Sequence, residues 1–318
     1  MALTQNDQRI REGLSVAVDH CVGCAHKEFI AVGPTGTPFF EVVAGREYFQ
    51  PTYTIHECSQ CGLLYRTPVL SESEFSDYYS SKDFRDWETP GEFPTERTAL
   101  KILRALPPGA KVLDFGCSSG RLFAKLGSTY DRYGSELNQD ACAVAASKGL
   151  KMLPTTFLET KDELRFDAII LVDVFEHLTA PTSLLANLAS RLNPGGILII
   201  VTGDGDNVIC RRNPAEFWYF RIIEHVSMLT QKYARWLAGE LQLELKSWQT
   251  VRHYDYKWPA TLIQWARQFA YWHLTLGPSP MRTLLRMIPR VRNAERRTKP
   301  PFWQYSADHV VAVFAKKR

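Results

Sequence analysis

The first twenty residues hold Asp7, Arg9, Arg11, Glu12 and Asp19 and lack an apolar core, so no secretory leader is expected there. No stretch is long and apolar enough to cross a bilayer. Together these two gaps lead us to expect a cytoplasmic chain. Internal repeats and low-complexity tracts are also lacking, which excludes repeat arrays and disordered tracts as the main architecture. The pattern GxGxxG does not occur, which removes the usual cradle for a dinucleotide pyrophosphate. Basic residues are scarce around the cysteine pairs. Between Cys21 and Cys61 only Lys27 and Arg46 stand against Glu28, Glu41, Glu47 and Glu57. A module that grips nucleic acid needs the opposite balance, so nucleic acid is not expected as a partner.

What is present is an ordinary globular mixture, with 45% hydrophobic and 23% charged residues in 318 positions. That length suits one large α/β domain with appendages, or two modest domains. The net charge of +4 is unevenly spread: Met281–Lys299 holds six Arg, one Lys and one Glu, a local +6 that leaves the rest of the chain at −2. Such a local excess argues against a general nucleic-acid binder.

The middle of the chain alternates short buried strands with amphipathic helices. Strands are expected at 111–115, 132–136, 150–153, 166–172 and 197–201, with helices at 119–126, 139–148 and 181–192. The run Phe166–Val172 is apolar almost throughout, as a central parallel strand covered on both faces should be. Asn193-Pro-Gly-Gly reads as a turn, Thr230 as a helix cap, 241–251 as an antiparallel edge strand, and Val310–Ala315 as a last strand paired with it. The expected fold is α/β, a doubly wound Rossmann-like sheet that binds its ligand at the carboxyl ends of the strands.

Four of the seven cysteines form two knuckles, Cys21-Val-Gly-Cys24 and Cys58-Ser-Gln-Cys61, with 33 residues between the pairs. In a chain expected to be cytosolic, paired CxxC suggests metal before disulfide. Four thiolates at this spacing can close a tetrahedral shell around zinc, and Gly62 suits the turn that aims amides at sulfur. A segment of about 70 residues with so small a core would take folding energy from the metal. Four independent reduced thiols are the bland alternative, and His20, His26 and His56 are substitute ligands.

The chemistry-bearing signal is Asp114-Phe-Gly116-Cys117-Ser-Ser-Gly120, placed between a strand and a helix. Its glycines allow a tight turn and a close backbone approach. Asp114 would repel a pyrophosphate but can help to hold an ammonium. Glu136, 22 positions after Asp114, ends the next strand, where a carboxylate can accept from both hydroxyls of a ribose. The segment Phe166–Leu178 and the turn Leu192–Gly196 follow in order. In this order and spacing the four resemble the class I S-adenosylmethionine-dependent methyltransferases over residues 95–250. The resemblance implies S-adenosylmethionine as cofactor, with Asp114, Gly116, Cys117, Gly120, Glu136 and Asp173 around it. The Cys117 thiol itself is expected to pack inside the loop. Ser118 stands where that family often has glycine.

The order of parts adds a second resemblance. Two knuckles, then CGLLYRTP, then FSDYYSSKDF, then the core look like a bacterial group tied to glycan and nucleotide-sugar tailoring. Some of that group methylate sugar carbon and continue into a further α/β domain, for which this chain has no room. The resemblance therefore implies a small-molecule acceptor, a sugar, nucleotide-sugar or lipid-linked glycan, methylated at oxygen or nitrogen. An RNA methyltransferase using the zinc module, or a binding module without catalysis, are the rival readings. A hydroxyl acceptor needs a base. His225, in Glu224-His225-Val226-Ser227, is the leading candidate and His177 the second, while Tyr254 and Tyr256 could line the acceptor site.

Near the C-terminus Leu262, Trp265, Phe269, Trp272 and Leu276 recur at helical steps, and Arg282, Arg286 and Arg290 sit four apart before Pro289 interferes. A helical cover over the sheet or active site is the plain reading; peripheral membrane contact through the basic segment, or phosphate binding of a nucleotide-sugar or RNA, are the alternatives. The expected organisation is a zinc-ribbon-like module at 1–70, a methyltransferase core at 71–254, a helical aromatic and basic insertion at 255–305, and the last core strand at 306–318.

Overall fold

Alternate residues of the run Phe166–Val172 feed two hydrophobic layers. Ile169 and Leu171 join one, and Ala168 and Ile170 the other. That is why the run carries almost no polar residue: both of its faces are covered. The computed structural model describes residues 15–88, 91–160, 164–255, 258–275, 279–292 and 307–317. The chain begins with short strands, β1 (Ser15–Val16), β2 (Phe29–Ala31), β3 (Phe39–Val43), β4 (Arg46–Gln50), β5 (Thr54–Cys58), β6 (Leu64–Thr67) and β7 (Val69–Leu70), followed by helix α1 (Glu72–Ser81). The helices and strands of the main layers follow: α2 (Pro94–Leu103), β8 (Lys111–Phe115), α3 (Arg121–Leu126), β9 (Asp131–Ser135), α4 (Gln139–Ser147), β10 (Lys151–Leu153), β11 (Phe166–Val172), α5 (Pro181–Ser190), β12 (Leu192–Gly203), α6 (Val208–Arg212), β13 (Ser227–Met228), α7 (Gln231–Glu240) and β14 (Leu243–Val251). Helices α8 (Trp258–Thr275), α9 (Arg282–Arg286) and α10 (Pro289–Arg292) precede the last strand, β15 (His309–Lys316).

The main sheet has the order β10-β9-β8-β11-β12-β15-β14. Its first five strands are parallel, and β15 runs antiparallel between β12 and β14. Thus β14 is the antiparallel edge expected from 241–251, and the last strand fills the slot beside it. Helix α5 shows how the layers close: Leu185, Leu188 and Ala189 lie at steps of three and four and face the sheet. Thr230 caps α7 by accepting from the Tyr233 amide.

Two local expectations differ from the structure. Asn193-Pro-Gly-Gly does not precede a separate strand. It is a lobe within β12, which pairs with β11 at Leu192 and again at Ile197. Gly195 at φ +79° supplies the bend, and the Asn193 side-chain amide ties the lobe to Asp167 at 2.8 Å. In α8 the buried face is Gln268, Tyr271 and Leu274, whereas Leu262 and Trp265 point outward. The amphipathic stripe is present, but its first half is on the solvent side. Tyr256 and Leu276 lie outside the described residues.

The N-terminal segment does not stand apart. Its four-stranded sheet has the order β13-β6-β5-β2, so its edge is completed by Ser227–Met228 from beyond β12. A Cβ on Gly23 would lie 2.8 Å from both Leu63 and Tyr233, so the first cysteine turn packs directly on α7. No helix among the described residues is long and apolar enough to cross a membrane.

Candidate active site

The strand order reverses between β8 and β11, leaving a crevice at their carboxyl ends where the loops diverge. Gly116, just past β8, has φ +76°, and a Cβ there would lie 2.5 Å from Val174 Cγ2 in the loop after β11. The two loops therefore touch across the crevice at a point that only glycine allows. Gly120, at φ +72°, would place a Cβ 3.0 Å from Leu150 and 3.1 Å from Ala145, so its bare backbone lets α3 close on α4. Ser118, between them, also takes a left-handed φ of +46°. Holding that conformation without glycine costs some backbone strain.

Asp114 lies within β8 and is buried. Burial, and then the negative charges of Glu136 and Glu96, push its carboxyl up to about 8. Glu136 follows β9 and accepts from the amides of Ser118 at 2.9 Å, Leu137 at 2.7 Å and Asn138 at 2.9 Å. The carboxylate thus ties the glycine loop to the next loop. With about four acceptor positions on a carboxylate, it keeps capacity for a hydroxyl. The Cys117 side chain faces away from the loop surface, into the core layer that contains Ala145 and Leu150. Burial pushes its thiol well up, as expected for a packing cysteine.

Beyond β11 the backbone turns through Asp173, another left-handed residue at φ +52°. Its Oδ1 stands 3.7 Å from His309 Nε2. His309 opens β15 and is buried, with Nδ1 3.0 Å from Asp308 Oδ1. Burial lowers the basicity of His309, but the bond to Asp308 and the charges of Asp308 and Asp173 outweigh it and raise the imidazole above its usual value. His253, two residues past β14, stacks on His309 with centroids 4.4 Å apart and on Phe93 at 4.6 Å. Burial pushes His253 down to about 3, so it is neutral at physiological pH. Tyr254 packs edge-on against Phe93 beside it.

The two histidines singled out in the sequence are neighbours, with ring centroids 4.9 Å apart. His225 is buried; its Nδ1 lies 2.9 Å from the Tyr219 carbonyl and its Nε2 4.0 Å from Glu176 Oε1. Burial, then the charges of His177 and Arg66, drive its imidazole well below the usual value. Glu176 is fully buried and accepts from the hydroxyls of Tyr219 and of Thr202, the latter at 2.8 Å. His177 is half-buried, with Nδ1 2.8 Å from the Tyr79 hydroxyl. Burial, then Glu224 and Glu176, keep that phenol protonated.

Arg66 sets the position of this group. Its buried guanidinium donates to the carbonyls of Phe220 at 2.9 Å and Ile222 at 3.1 Å, and to Ile223, just before Glu224-His225. Lys82, past α1, donates to Glu224 at 3.0 Å and to Tyr78 at 2.6 Å. The N-terminal segment and α1 thus hold the histidine-bearing loop. Sequence reasoning missed Tyr79, Lys82, Tyr219, His253 and His309. The signal for Tyr79 was its place in the aromatic stretch Tyr78-Tyr79; for the two late histidines it was their position at the ends of the antiparallel strands.

A second cluster lies at the N-terminal knuckles. Cys21 Sγ and Cys61 Sγ are 3.5 Å apart, as are those of Cys24 and Cys58, and the four sulfurs all lie within 4.8 Å of one another. The Gly23 amide points at Cys21 Sγ at 3.3 Å and the Cys61 amide at Cys58 Sγ at 3.5 Å.

Residues 91–247 match the family described as a methyltransferase domain. Among curated relatives, a ubiquinone biosynthesis O-methyltransferase of Bradyrhizobium sp. (strain ORS 278) is 34% identical over 114 residues, 34% of this chain and 44% of that protein. A ribosomal protein L11 methyltransferase of Janthinobacterium sp. (strain Marseille) is 35% identical over 122 residues, 35% of this chain and 38% of that protein. The chain therefore spans less than half the length of either. Among solved structures, the YcgJ protein of Bacillus subtilis superposes with a TM-score of 0.48 at 15% identity, covering 70% of this chain and 98% of the other. Over residues 91–247 the chain carries a methyltransferase domain, built on the Rossmann-like α/β sheet of the class I S-adenosylmethionine-dependent enzymes.

Proposed function

We propose that the chain transfers a methyl group from S-adenosylmethionine to an oxygen of a small-molecule acceptor, a sugar, nucleotide-sugar or lipid-linked glycan. The observation that carries this reading is the cradle between β8 and β11. Left-handed Gly116 turns the loop there against Val174, and Asp114 and Glu136 flank it. These features fit the cofactor: Asp114 beside its ammonium, Glu136 on its ribose, and glycine backbone where the nucleoside must approach closely. When bound, the cofactor supplies an electrophilic methyl carbon, and the protein supplies alignment and a base. The relative in ubiquinone biosynthesis is an O-methyltransferase, which favours an oxygen acceptor. The sugar class rests on the order of parts along the chain.

His177 is the base in this reading. It is the more exposed of the two histidines, and the Tyr79 hydroxyl orients its ring from behind. His225, with Nδ1 turned to the Tyr219 carbonyl and its ring buried beside Glu176, walls the site. Asp173 is placed by its left-handed turn at the mouth of β11 and counted with the cofactor site.

The four cysteines fit zinc. Sulfurs each about 2.3 Å from one ion stand roughly 3.8 Å apart, close to the observed pair spacings. Its role would be structural, fixing the turn that packs on α7. The test of the whole reading is calorimetric titration with S-adenosylhomocysteine, wild type beside Asp114→Ala and Glu136→Ala. Micromolar binding that both substitutions weaken at least tenfold is expected. Folded wild type that binds neither this ligand nor S-adenosylmethionine would leave only a binding module of another kind.

A further inference from the structure

Helix α8 carries an apolar stripe that stands exposed among the described residues. Trp258 is 73% exposed, Leu262 56% and Trp265 55%, at steps of four and three that place them on one face. The opposite face, Gln268, Tyr271 and Leu274, is the one that packs on the protein. Ile263 widens the stripe, and Leu284 and Met287, in and just past α9, add further exposed apolar area; Met287 is 75% exposed. Helix α9 packs against α8. Large apolar side chains exposed together in this way mark an interaction surface.

The charge that follows the stripe along the chain identifies the partner. The segment Met281–Lys299 has a net charge of +6, while the remainder of the chain is at −2. Tryptophan, leucine and isoleucine on one helical face with an adjoining arginine-rich segment is the composition of a helix that lies in a bilayer interface. Indole rings settle at the headgroup level, and cationic side chains are drawn to anionic lipid. We propose that α8 and α9 dock the protein on the surface of an anionic phospholipid bilayer, with Trp258, Leu262 and Trp265 entering the interface.

The placement suits the crevice. Helix α8 begins four residues after Tyr254, and His253-Tyr254 pack on Phe93 next to His309. Docking would therefore hold the antiparallel end of the crevice near the membrane. Resting on the methyl-transfer reading above, this selects the lipid-linked glycan among the proposed acceptors.

The test is co-sedimentation of the full chain with vesicles of phosphatidylcholine alone and of phosphatidylcholine with roughly one quarter phosphatidylglycerol. Wild type should pellet with the anionic vesicles only, and less so as salt rises. The triple variant Trp258→Ser, Leu262→Ser, Trp265→Ser should partition at least about tenfold less, since each replaced side chain forfeits apolar burial in the interface. Arg296→Gln with Arg297→Gln should weaken partitioning by about fivefold per charge removed. Unchanged binding of S-adenosylhomocysteine by the variants would show them folded, and it separates this proposal from the donor site. Wild type that stays in the supernatant with anionic vesicles overturns the proposal, as does a triple variant that pellets like wild type. So does light scattering that finds a wild-type dimer and a monomeric triple variant, which would assign the stripe to contact between copies.

Discussion

The five parallel strands and the antiparallel pair share one sheet but furnish its crevice in different ways. From the parallel part, Asp114, Gly116 and Gly120 come within seven consecutive residues, and Glu136 directly follows the very next strand. From the antiparallel part, His253 leaves the edge strand and His309 opens the last one, 56 positions later, and they meet with centroids 4.4 Å apart. A strand–loop–helix unit confines its functional residues to a short segment, so they form a motif. Two antiparallel strands bring together residues from segments with no local relation. The first kind of site holds a constant ligand. In the methyl-transfer reading proposed above, the second would border the acceptor, where enzymes of one fold diverge.

The largest expected effect is at the antiparallel end. His309→Ala leaves the Asp308 and Asp173 carboxylates without the imidazole between them, and breaking a buried ionic group of this kind costs about 3 kcal/mol. The loss should depend on pH. His309 is raised in the folded chain, so its contribution is complete below its unfolded value of 6.5 and fades as pH rises through the folded value. Denaturant unfolding at pH 6 and pH 9 should therefore show the larger difference from wild type at pH 6. Binding of S-adenosylhomocysteine to the refolded variant should stay within about threefold of wild type. A fall as large as that caused by Glu136→Ala would mean that the two halves of the crevice are one unit.

Next is the parallel end. Gly116→Ala introduces both a left-handed alanine and a contact 2.5 Å from Val174 Cγ2. The two together should cost about 2–3 kcal/mol of stability and most of the cofactor affinity. Val174→Ala in the same chain removes the contact but not the strain, so it should restore about half of the lost stability. Full rescue would show that packing alone required the glycine, and no rescue that conformation did.

How much could be read beforehand follows the same division. The parallel strands, the edge strand and the last strand were visible in the run Phe166–Val172, the polar alternation of 241–251 and the apolar Val310–Ala315, because burial on one or two faces writes a period into the sequence. The knuckle cysteines were visible through spacing. The completion of the N-terminal sheet by Ser227–Met228 was not, since two residues carry no periodic signal. Nor was the burial of His225, which is imposed by Arg66 gathering the carbonyls of Phe220, Ile222 and Ile223. The stripe on α8 had the right period, yet periodicity alone does not say whether an apolar face meets the protein or leaves it.

The smallest effect tests whether Asp114 serves the ligand at all. In the free protein its carboxyl is pushed up to about 8, by burial first and then by Glu136 and Glu96, so near neutrality it is largely protonated. Folding the protonated form means that this group withdraws stability as pH rises from its unfolded 3.8 toward 8. A ligand ammonium beside it favours the ionised form, so binding below pH 8 expels a proton. Affinity for S-adenosylhomocysteine should then climb with pH by at most about tenfold per unit, or 1.4 kcal/mol, and flatten once the carboxyl is ionised in the free protein. Calorimetry in buffers of different ionisation enthalpy would register the proton directly. Asp114→Asn should bind more weakly above pH 8 and lose the slope below it. A wild-type affinity that is flat from pH 6 to 8 would mean that the carboxyl does not contact the ammonium, and would leave Asp114 a buried strand acid with no part in the ligand.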